Sequence, residues 1–212
     1  KDTLFRRLLT LADAVYEQQI KPYKIWRFVL KVYIDMDGVI VDLIEGIIRE
    51  LKLVPDVWPA GVWDIVTGLN IPEEKIDKLM RQSDFWANLP VSNEHNALIG
   101  ILAKAFGYEN LALCTMPYKS LPESVDGKVR WIRKYAPWAE ENVIFAKDKS
   151  FYAGPDSILI DDSTQNVIDF RKANGLGILF PRRWNVLADV IDPIAYIGGC
   201  LRGIQQVSTR HI

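Results

Sequence analysis

The chain has 212 residues, of which 49% are hydrophobic and 25% are charged, and it carries a formal net charge of −1 with a pI near 6.2. This composition predicts one domain with a buried core, or one domain with a smaller insertion. The charge balance gives no basic field for a polymeric nucleic acid. The apolar stretches have strand length, the amino terminus lacks a signal-peptide core, and the two cysteines form no disulfide framework. These features predict a cytoplasmic protein without a membrane partner.

The first predicted elements are a packing helix from about Asp2 to Gln19 and a strand from Phe28 to Ile34. The helix ends before Pro22 because proline cannot continue the hydrogen-bond ladder. Two carboxylates in alternate positions, Asp35 and Asp37, follow the apolar strand directly. Because buried acids repel each other, they need a cation or a proton between them, and we interpret the pair as functional. An ordinary Asp-Gly turn is the alternative.

Residues 42–91 differ from the rest of the chain because they contain helical patterns and no convincing strand. The predicted helices run from Val41 to Leu53 and from Pro72 to Gln82. Four large aromatic residues share this segment: Trp58, Trp63, Phe85 and Trp86. We predict a small helical cap over the site that the two acids open. The aromatic side chains could stack on a base, or they could form the core of the cap itself.

Helices and strands alternate from residue 93 onward. The predicted strands are Leu111–Thr115, Val143–Ala146, Ser157–Ile160 and Gly177–Phe180, and the predicted helices are Asn93–Phe106, Glu123–Tyr135 and Gln165–Ala173. Strands separated by helices imply right-handed crossovers and a parallel sheet covered on both faces. We therefore predict an α/β fold, a Rossmann-like doubly wound parallel sheet. Residues 1–41 and 92–212 form its core, and one or two short helices follow Pro181.

Polar residues follow four of the predicted strands, and the carboxyl ends of parallel strands meet at one edge of the sheet. These residues are Asp35 and Asp37, then Thr115, then Lys147 and Lys149, and finally Asp161 and Asp162. Acids from two strand ends can hold one hard cation through oxygen ligands, and Mg²⁺ suits a site with few carboxylates and a phosphate. A hydroxyl and an ammonium would neutralise the remaining phosphate oxygens. The pattern indicates a phosphoryl-transfer site.

Four ordered motifs of the chain resemble those of the haloacid dehalogenase superfamily of phosphatases. They are Asp35-Met36-Asp37-Gly38-Val39, Leu113-Cys114-Thr115, Lys149 and Leu159-Ile160-Asp161-Asp162. Within the superfamily the chain is most similar to the 5'(3')-deoxyribonucleotidases. That likeness rests on residues 35–42, 114–117, 128–132, 148–150 and 85–90. The similarity extends from about Val32 to Asn185.

The resemblance implies a role for each acid. Asp35 would attack phosphorus and become an aspartyl phosphate, and Asp37 would protonate the leaving alkoxide and later deprotonate the attacking water. Asp35 and the backbone carbonyl of Asp37 would also contact Mg²⁺. Asp162 would be the direct metal ligand from the fourth motif, and Asp161 would orient it or bind through water.

The resemblance also implies the phosphate-binding residues. Thr115 and Lys149 would hold phosphate oxygens, with Lys147 as an alternative because it lies two positions from Lys149. Met116 stands in this phosphate-binding loop, where the subfamily usually carries serine. Lys128 occupies the position of a phosphate-side lysine in the subfamily, and a solvated helix lysine is the alternative.

The residues expected at the base of the substrate are Leu43, Val62, Trp63 and Trp86. Val62 and Trp63 lie in the base-recognition segment, and Leu43 stands where the subfamily tends to place an aromatic residue. His95 and His211 lie outside the motifs, and we predict that both are surface or cap residues.

Together these features predict a Mg²⁺-dependent phosphomonoesterase for nucleoside monophosphates, deoxyribonucleotides in particular. The expected partner is a small-molecule nucleotide and not a polymeric nucleic acid, because a cap limits substrate size. The resemblance also makes a homodimer an expectation. The alternatives are a phosphatase for another small phosphoester, such as a sugar phosphate, and a nucleotide-binding domain without turnover.

Overall fold

A parallel sheet forms the centre of the structure, a computed structural model that describes residues 31–54 and 58–209. Its strands within these ranges are β1 (Lys31–Ile34), β2 (Leu111–Thr115), β3 (Val143–Phe145), β4 (Ser157–Asp161) and β5 (Leu176–Leu179). They pair in the order β3-β2-β1-β4-β5, and every pair is parallel. This arrangement confirms the predicted doubly wound α/β fold.

Helices connect and cover the strands. In the same ranges they are α1 (Leu43–Leu51), α2 (Ile65–Leu69), α3 (Glu73–Met80), α4 (Ser83–Ala87), α5 (His95–Phe106), α6 (Pro122–Tyr135), α7 (Thr164–Lys172) and α8 (Pro193–Thr209). Short 3-10 helices lie at Tyr108–Asn110, Tyr118–Ser120, Pro137–Ala139 and Lys149–Tyr152. The predicted amino-terminal helix and the first part of the predicted first strand lie outside the described residues.

The register of the central strand determines where the polar strand ends meet. Ile34 of β1 pairs with Leu113 of β2 on one side and with Ile160 of β4 on the other. All three side chains are fully buried, so the apolar core fixes this register. The residues that follow them, Asp35 and Asp161 among them, therefore arrive at the same edge of the sheet.

The insertion between β1 and α5 contains α1 to α4, and its two ends lie side by side. Val41 and Val91 form an isolated antiparallel bridge at the point where the chain leaves the core and returns to it. The insertion packs closely onto α6. A Cβ atom at Gly127 would lie 2.3 Å from the carbonyl oxygen of Ser83 and 2.5 Å from Cβ of Trp86, so a glycine is needed for this close approach.

Two predictions about the carboxyl-terminal half and the histidines are wrong. The chain after Pro181 forms one helix of 17 residues, α8, where short helices were expected, and Ile197 and Leu201 are buried on it. His95 is the first residue of α5 and is only 4% exposed, so it belongs to the core. Burial also lowers its pKa. His211 lies outside the described residues.

Among the helices that the structure describes, none combines the length and the apolar character needed to span a membrane.

Candidate active site

Three carboxylates from two strand ends meet at the carboxyl edge of the sheet. Asp35, Asp161 and Asp162 each offer an oxygen, and these oxygens lie within 4.8 Å of one another. Lys149 lies beside them, and its Nζ is 2.7 Å from Oδ1 of Asp35 and 2.6 Å from Oδ2 of Asp161. All four residues are buried, whereas Lys147 is exposed. Of the two candidate lysines, the structure therefore brings only Lys149 into contact with the acids.

Asp161 is surrounded by hydrogen-bond donors. Its Oδ1 accepts a hydrogen bond of 2.8 Å from the backbone N–H of Ser163, and the side-chain amide of Asn166 donates to both of its oxygens. Burial, followed by the negative charge of Asp35, raises its pKa to about 6. With Lys149 on Oδ2, both oxygens of this carboxylate already have partners, so its contacts suit it to orienting the lysine.

Asp162 has different surroundings. Its Oδ2 accepts a hydrogen bond of 2.7 Å from the indole N–H of Trp184, and its backbone carbonyl accepts one of 2.9 Å from the side chain of Asn185. No lysine or arginine within residues 31–54 and 58–209 forms an ion pair with it. Burial, and then the charges of Asp35 and Asp161, raise its pKa well above the ordinary value. Of the three clustered carboxylates, Asp162 is therefore the one whose charge a bound cation would stabilise most.

A second buried cation, Lys128 on α6, lies on the other side of the site. Its Nζ donates to the carboxylate of Asp37, to Oγ1 of Thr115 at 2.7 Å and to the carbonyl of Met116 at 3.0 Å. The ammonium lies 4.9 Å from the ring centroid of Trp86, which covers it from the cap. The side chain is fully buried, so it is not a solvated helix lysine.

Asp37 is placed to carry a proton. Burial raises its pKa, an effect that the charge of Lys128 opposes and that of Asp35 reinforces. Its Oδ2 contacts Lys128, whereas its buried Oδ1 has no hydrogen-bond partner among the residues described. A buried polar atom without a partner is costly, and it fits an atom that faces a substrate.

The charges of the cluster do not balance. It contains four carboxylates and two ammoniums, those of Asp35, Asp37, Asp161, Asp162, Lys128 and Lys149. With every group ionised, the sum is two negative charges, which one divalent cation would neutralise. Oxygen ligands from carboxylates are the donors that Mg²⁺ prefers. The donor set and its charge therefore fit a Mg²⁺ ion next to Asp35 and Asp162.

The turn after Asp37 depends on a glycine. Gly38 has a φ of 78°, and a Cβ atom there would lie 2.0 Å from Oδ2 of Asp162. An L-residue would therefore meet both backbone strain and the carboxylate. Arg182 fixes the same turn, because its Nε donates to the carbonyl of Gly38 while Nη2 lies 3.0 Å from Oε2 of Glu94.

A family model described as "5' nucleotidase, deoxy (Pyrimidine), cytosolic type C protein" matches residues 27–191. The chain belongs to this family. It is therefore a phosphatase of the haloacid dehalogenase superfamily, as the motifs predicted. No curated protein matches the chain in sequence.

Several solved structures are similar in fold. A conserved haloacid dehalogenase-like protein of unknown function from Agrobacterium tumefaciens is 16% identical with a TM-score of 0.49, over 82% of this chain and 98% of that chain. A hydrolase of the same superfamily from Deinococcus radiodurans, with bound phosphate and sodium, is 15% identical with a TM-score of 0.44, over 84% and 96%. A Bacteroides thetaiotaomicron enzyme, with magnesium and inorganic phosphate, is 14% identical with a TM-score of 0.38, over 77% and 100%.

Sequence reasoning missed a segment of this phosphatase that contacts the site. Arg182, Trp184 and Asn185 lie just beyond β5 and hold the Gly38 turn and Asp162. The signal was available, because β5 ends at the same edge of the sheet as the other strands. The predicted site residues follow the first four strands only, and none was assigned after Gly177–Phe180.

The four residues predicted at the base lie in different surroundings. Trp63 is 53% exposed, and the nearby carbonyl of Val62 accepts a hydrogen bond of 2.7 Å from the indole of Trp58. Leu43 is partly buried and packs against the core. Trp86 is only 2% exposed and covers Lys128, so its ring has no free face for a base. We therefore leave Trp86 out of the base site, contrary to the prediction.

Proposed function

We propose that this phosphatase is a Mg²⁺-dependent phosphomonoesterase that hydrolyses deoxyribonucleoside monophosphates to nucleoside and phosphate through an aspartyl phosphate on Asp35. The observation that carries the proposal is the buried cluster of four carboxylates and two ammoniums, with its deficit of two positive charges. One divalent cation would fill this deficit, and the cation and the two ammoniums could then hold the oxygens of a phosphate ester.

Asp35 is the nucleophile in this scheme. Its Oδ1 accepts hydrogen bonds from the backbone N–H of Met36 at 2.8 Å and from Lys149 at 2.7 Å. These contacts set the direction of the carboxylate. An oxygen of Asp35 attacks phosphorus, the bond from phosphorus to the ester oxygen breaks, and an aspartyl phosphate forms.

Asp37 moves the protons of both steps. In the first step its carboxyl group gives a proton to the departing ester oxygen, which leaves as the hydroxyl of the nucleoside. In the second step its carboxylate takes a proton from water, which attacks phosphorus and releases Asp35 and inorganic phosphate. Burial raises the pKa of Asp37, which suits a group that must be protonated at the start of each cycle.

The metal would be held by carboxylate oxygens of Asp35 and Asp162 and by the backbone carbonyl of Asp37. Mg²⁺, when bound there, would neutralise phosphate oxygens and reduce the repulsion between Asp35 and its substrate. Asp161 stays outside this ligand set in our proposal, because both of its oxygens have other partners.

Three further groups of this chain would hold phosphate oxygens. Lys128, Lys149 and the hydroxyl of Thr115 are buried and point to the region around the two catalytic acids. The backbone at Met116 belongs to the same loop, although this residue lacks the serine hydroxyl of the subfamily. Its thioether side chain is 49% exposed and would contact the ligand through apolar atoms.

The choice of a nucleotide rests on exposed apolar surface and on the family. Trp63 and Met116 are half exposed, although large apolar side chains are usually buried. An exposed indole can stack on a pyrimidine base, and a sugar phosphate has no such flat group. The family description names deoxy and pyrimidine 5' nucleotidases, and we propose dUMP and dTMP as substrates on that basis.

The test is a substrate panel with dUMP, dTMP, UMP, a 3'-monophosphate and a sugar phosphate, each with MgCl₂ and with EDTA. We expect phosphate release from the deoxyribonucleotides that stops when EDTA removes the metal. In Asp35→Asn, activity should fall by at least about a thousandfold, because the nucleophile is lost.

The matched control is Asp189→Asn, which changes an exposed aspartate in the same way and should retain full activity. Activity that survives in Asp35→Asn would remove this residue from the role of nucleophile. A preference for the sugar phosphate over dUMP would overturn the proposed substrate class while leaving the phosphatase chemistry intact.

A further inference from the structure

The segment after β5 contacts two parts of the molecule that are far apart in sequence. Trp184 donates its indole N–H to Asp162, whereas Arg183 donates from Nε to the carbonyl of Trp58 at 2.7 Å. The backbone carbonyl of Arg183 also accepts a hydrogen bond of 2.8 Å from Gly61. Two neighbouring residues of the core therefore reach a carboxylate of the site and a loop of the cap.

The cap loop concerned is residues 58–63, which contains Val62 and Trp63. Within the loop, the indole of Trp58 donates to the carbonyl of Val62, and its ring packs where a Cβ atom of Gly68 would lie, at 2.2 Å. The ring of Trp58 also meets that of Trp184, with centroids 5.8 Å apart and planes at 63°. The position of the loop is thus determined by the segment after β5 as well as by α2.

The carboxylate concerned has little else to orient it. Asp162 forms no ion pair with lysine or arginine in the described part of the chain, and its hydrogen bond from Trp184 is the one that reaches its side chain. The indole ring of Trp184 packs against Trp58 on one side. It also lies close to Gly38, where an added Cβ atom would be 3.1 Å from its Cζ2. A planar donor confined in this way can fix the direction of one carboxylate oxygen.

We propose that Trp184 and Arg183 are paired positioning residues: Trp184 orients Asp162 for a divalent cation, and Arg183 fixes loop 58–63 for the nucleotide. The inference rests on the proposed function for the identity of both ligands. It goes beyond that function by assigning metal affinity and nucleotide affinity to two adjacent residues that need not touch either ligand.

The first variant is Trp184→Phe, which removes the indole N–H and retains an aromatic ring beside Trp58. The melting temperature of the full chain is measured as MgCl₂ is titrated in the absence of substrate, so the readout does not depend on activity. We expect the midpoint of the Mg²⁺-induced shift to move to concentrations about tenfold higher, the scale of losses when a partner of a metal ligand is removed. The KM for dUMP at saturating Mg²⁺ should stay within about twofold.

The second variant is Arg183→Met, which keeps the aliphatic stem and removes the hydrogen bond to Trp58. We expect the KM for dUMP to rise about fivefold, because a single well-placed hydrogen bond of the loop is lost. The Mg²⁺ midpoint should not change. The two variants therefore move different quantities, which a general loss of stability would not do.

Matched controls change the same residue types elsewhere. Trp138→Phe removes an indole N–H that has no partner in residues 31–54 and 58–209, and Arg133→Met removes an exposed arginine paired with Glu140. Neither should alter the Mg²⁺ midpoint or the KM. The melting temperature in EDTA reports any folding defect separately from the Mg²⁺-induced shift.

The outcomes separate the inference from the proposed function. If the wild-type protein shows no Mg²⁺-induced shift and releases no phosphate from dUMP, the proposed function fails and the inference fails with it. If the wild-type protein binds Mg²⁺ and hydrolyses dUMP, an unchanged midpoint in Trp184→Phe or an unchanged KM in Arg183→Met overturns the inference alone.

Discussion

Two parts of the cap are attached to the core in different ways. The part formed by α3 and α4 packs tightly onto α6, with Gly127 allowing backbone contact, and ion pairs join Asp84 to Arg130 at 2.8 Å and Asp77 to Lys119 at 2.7 Å. The other part, loop 58–63, is held by two hydrogen bonds with Arg183 and by a contact between two indole rings.

This difference indicates a division of roles within one insertion. The α3–α4 part buries Trp86 over Lys128, so it covers the site at this lysine and contributes to the stability of the fold. Loop 58–63 exposes Trp63 and is attached to the core through Arg183 and Trp184. We expect mutations in α3 and α4 to act on stability and turnover, and mutations in loop 58–63 to act on substrate affinity.

The largest expected effect comes from a comparison of two tryptophans, Trp86 in α4 and Trp63 in loop 58–63. Trp86→Ala should lower the free energy of unfolding by about 3–5 kcal/mol, because it removes a buried indole and leaves a cavity. Trp63→Ala should change that free energy by less than about 0.5 kcal/mol, because the side chain is half exposed, but it should raise the KM for dUMP. Urea unfolding and steady-state kinetics measure both. Equal losses of stability would contradict the division.

The next largest effect concerns the lysine beneath the cap. Lys128→Met should lower kcat by about a hundredfold to a thousandfold, the range seen when one preorganised donor is removed from a transition-state site. Its ammonium contacts Asp37 and Thr115 in a fully buried position. Lys147→Met, which changes an exposed lysine, is the control and should leave kcat within about twofold. A small effect of Lys128→Met would show that the cap covers a purely structural lysine.

A single methyl group tests the tight attachment of α4. Gly127→Ala places a Cβ atom 2.3 Å from a backbone oxygen and should lower the free energy of unfolding by about 1–3 kcal/mol. Gly100→Ala on α5 is the matched control, because no atom lies within 4 Å of its added Cβ. It should raise the free energy of unfolding by about 0.5–1 kcal/mol through helix propensity. Thermal or urea unfolding distinguishes the two signs, and stabilisation by both substitutions would refute the close contact.

The smallest expected effect is a pH dependence of the unfolding free energy that comes from His95. The centroid of its ring lies 5.9 Å from that of Trp131 on α6. Burial lowers the pKa of His95, so the folded protein holds the neutral imidazole while the unfolded chain binds a proton near pH 6.5. Stability is therefore complete above about pH 6.5 and falls as the pH drops below it, by at most about 1.4 kcal/mol per pH unit. The readout is the difference in unfolding free energy between wild type and His95→Gln at pH 8 and at pH 5. A difference that does not change with pH would exclude this titration.

Much of the fold could be predicted because the apolar strands differ sharply from the segments around them. β2 occupies the predicted residues, β3 and β4 differ from their predictions by one residue at the carboxyl end, and β5 is shifted by one residue toward the amino terminus. The carboxylates and the pair Lys147 and Lys149 were found by the rule that parallel strands end at one edge, which requires only the order of strands and helices. The preference for Lys149 came from the family resemblance.

The remaining errors have physical causes that a single sequence does not reveal. Gly198, Gly199 and Gly203 lower the helix propensity of the last segment, yet burial of Ile197 and Leu201 stabilises one long helix there. The sequence around Trp86 does not distinguish a ring that faces a ligand from one that covers a buried lysine. The difference depends on Lys128 of α6, which lies about forty residues further along the chain.

The bridge between Val41 and Val91 has a consequence for engineering. Because the insertion departs from the sheet and rejoins it at adjacent positions, its length places almost no demand on the strands beneath. A cassette taken from a related phosphatase could be grafted between these two valines to change which esters are accepted. The graft would need a complementary surface for α6, a side chain to cover Lys128 and a partner for Arg183, while the carboxylates at the strand ends would stay in place.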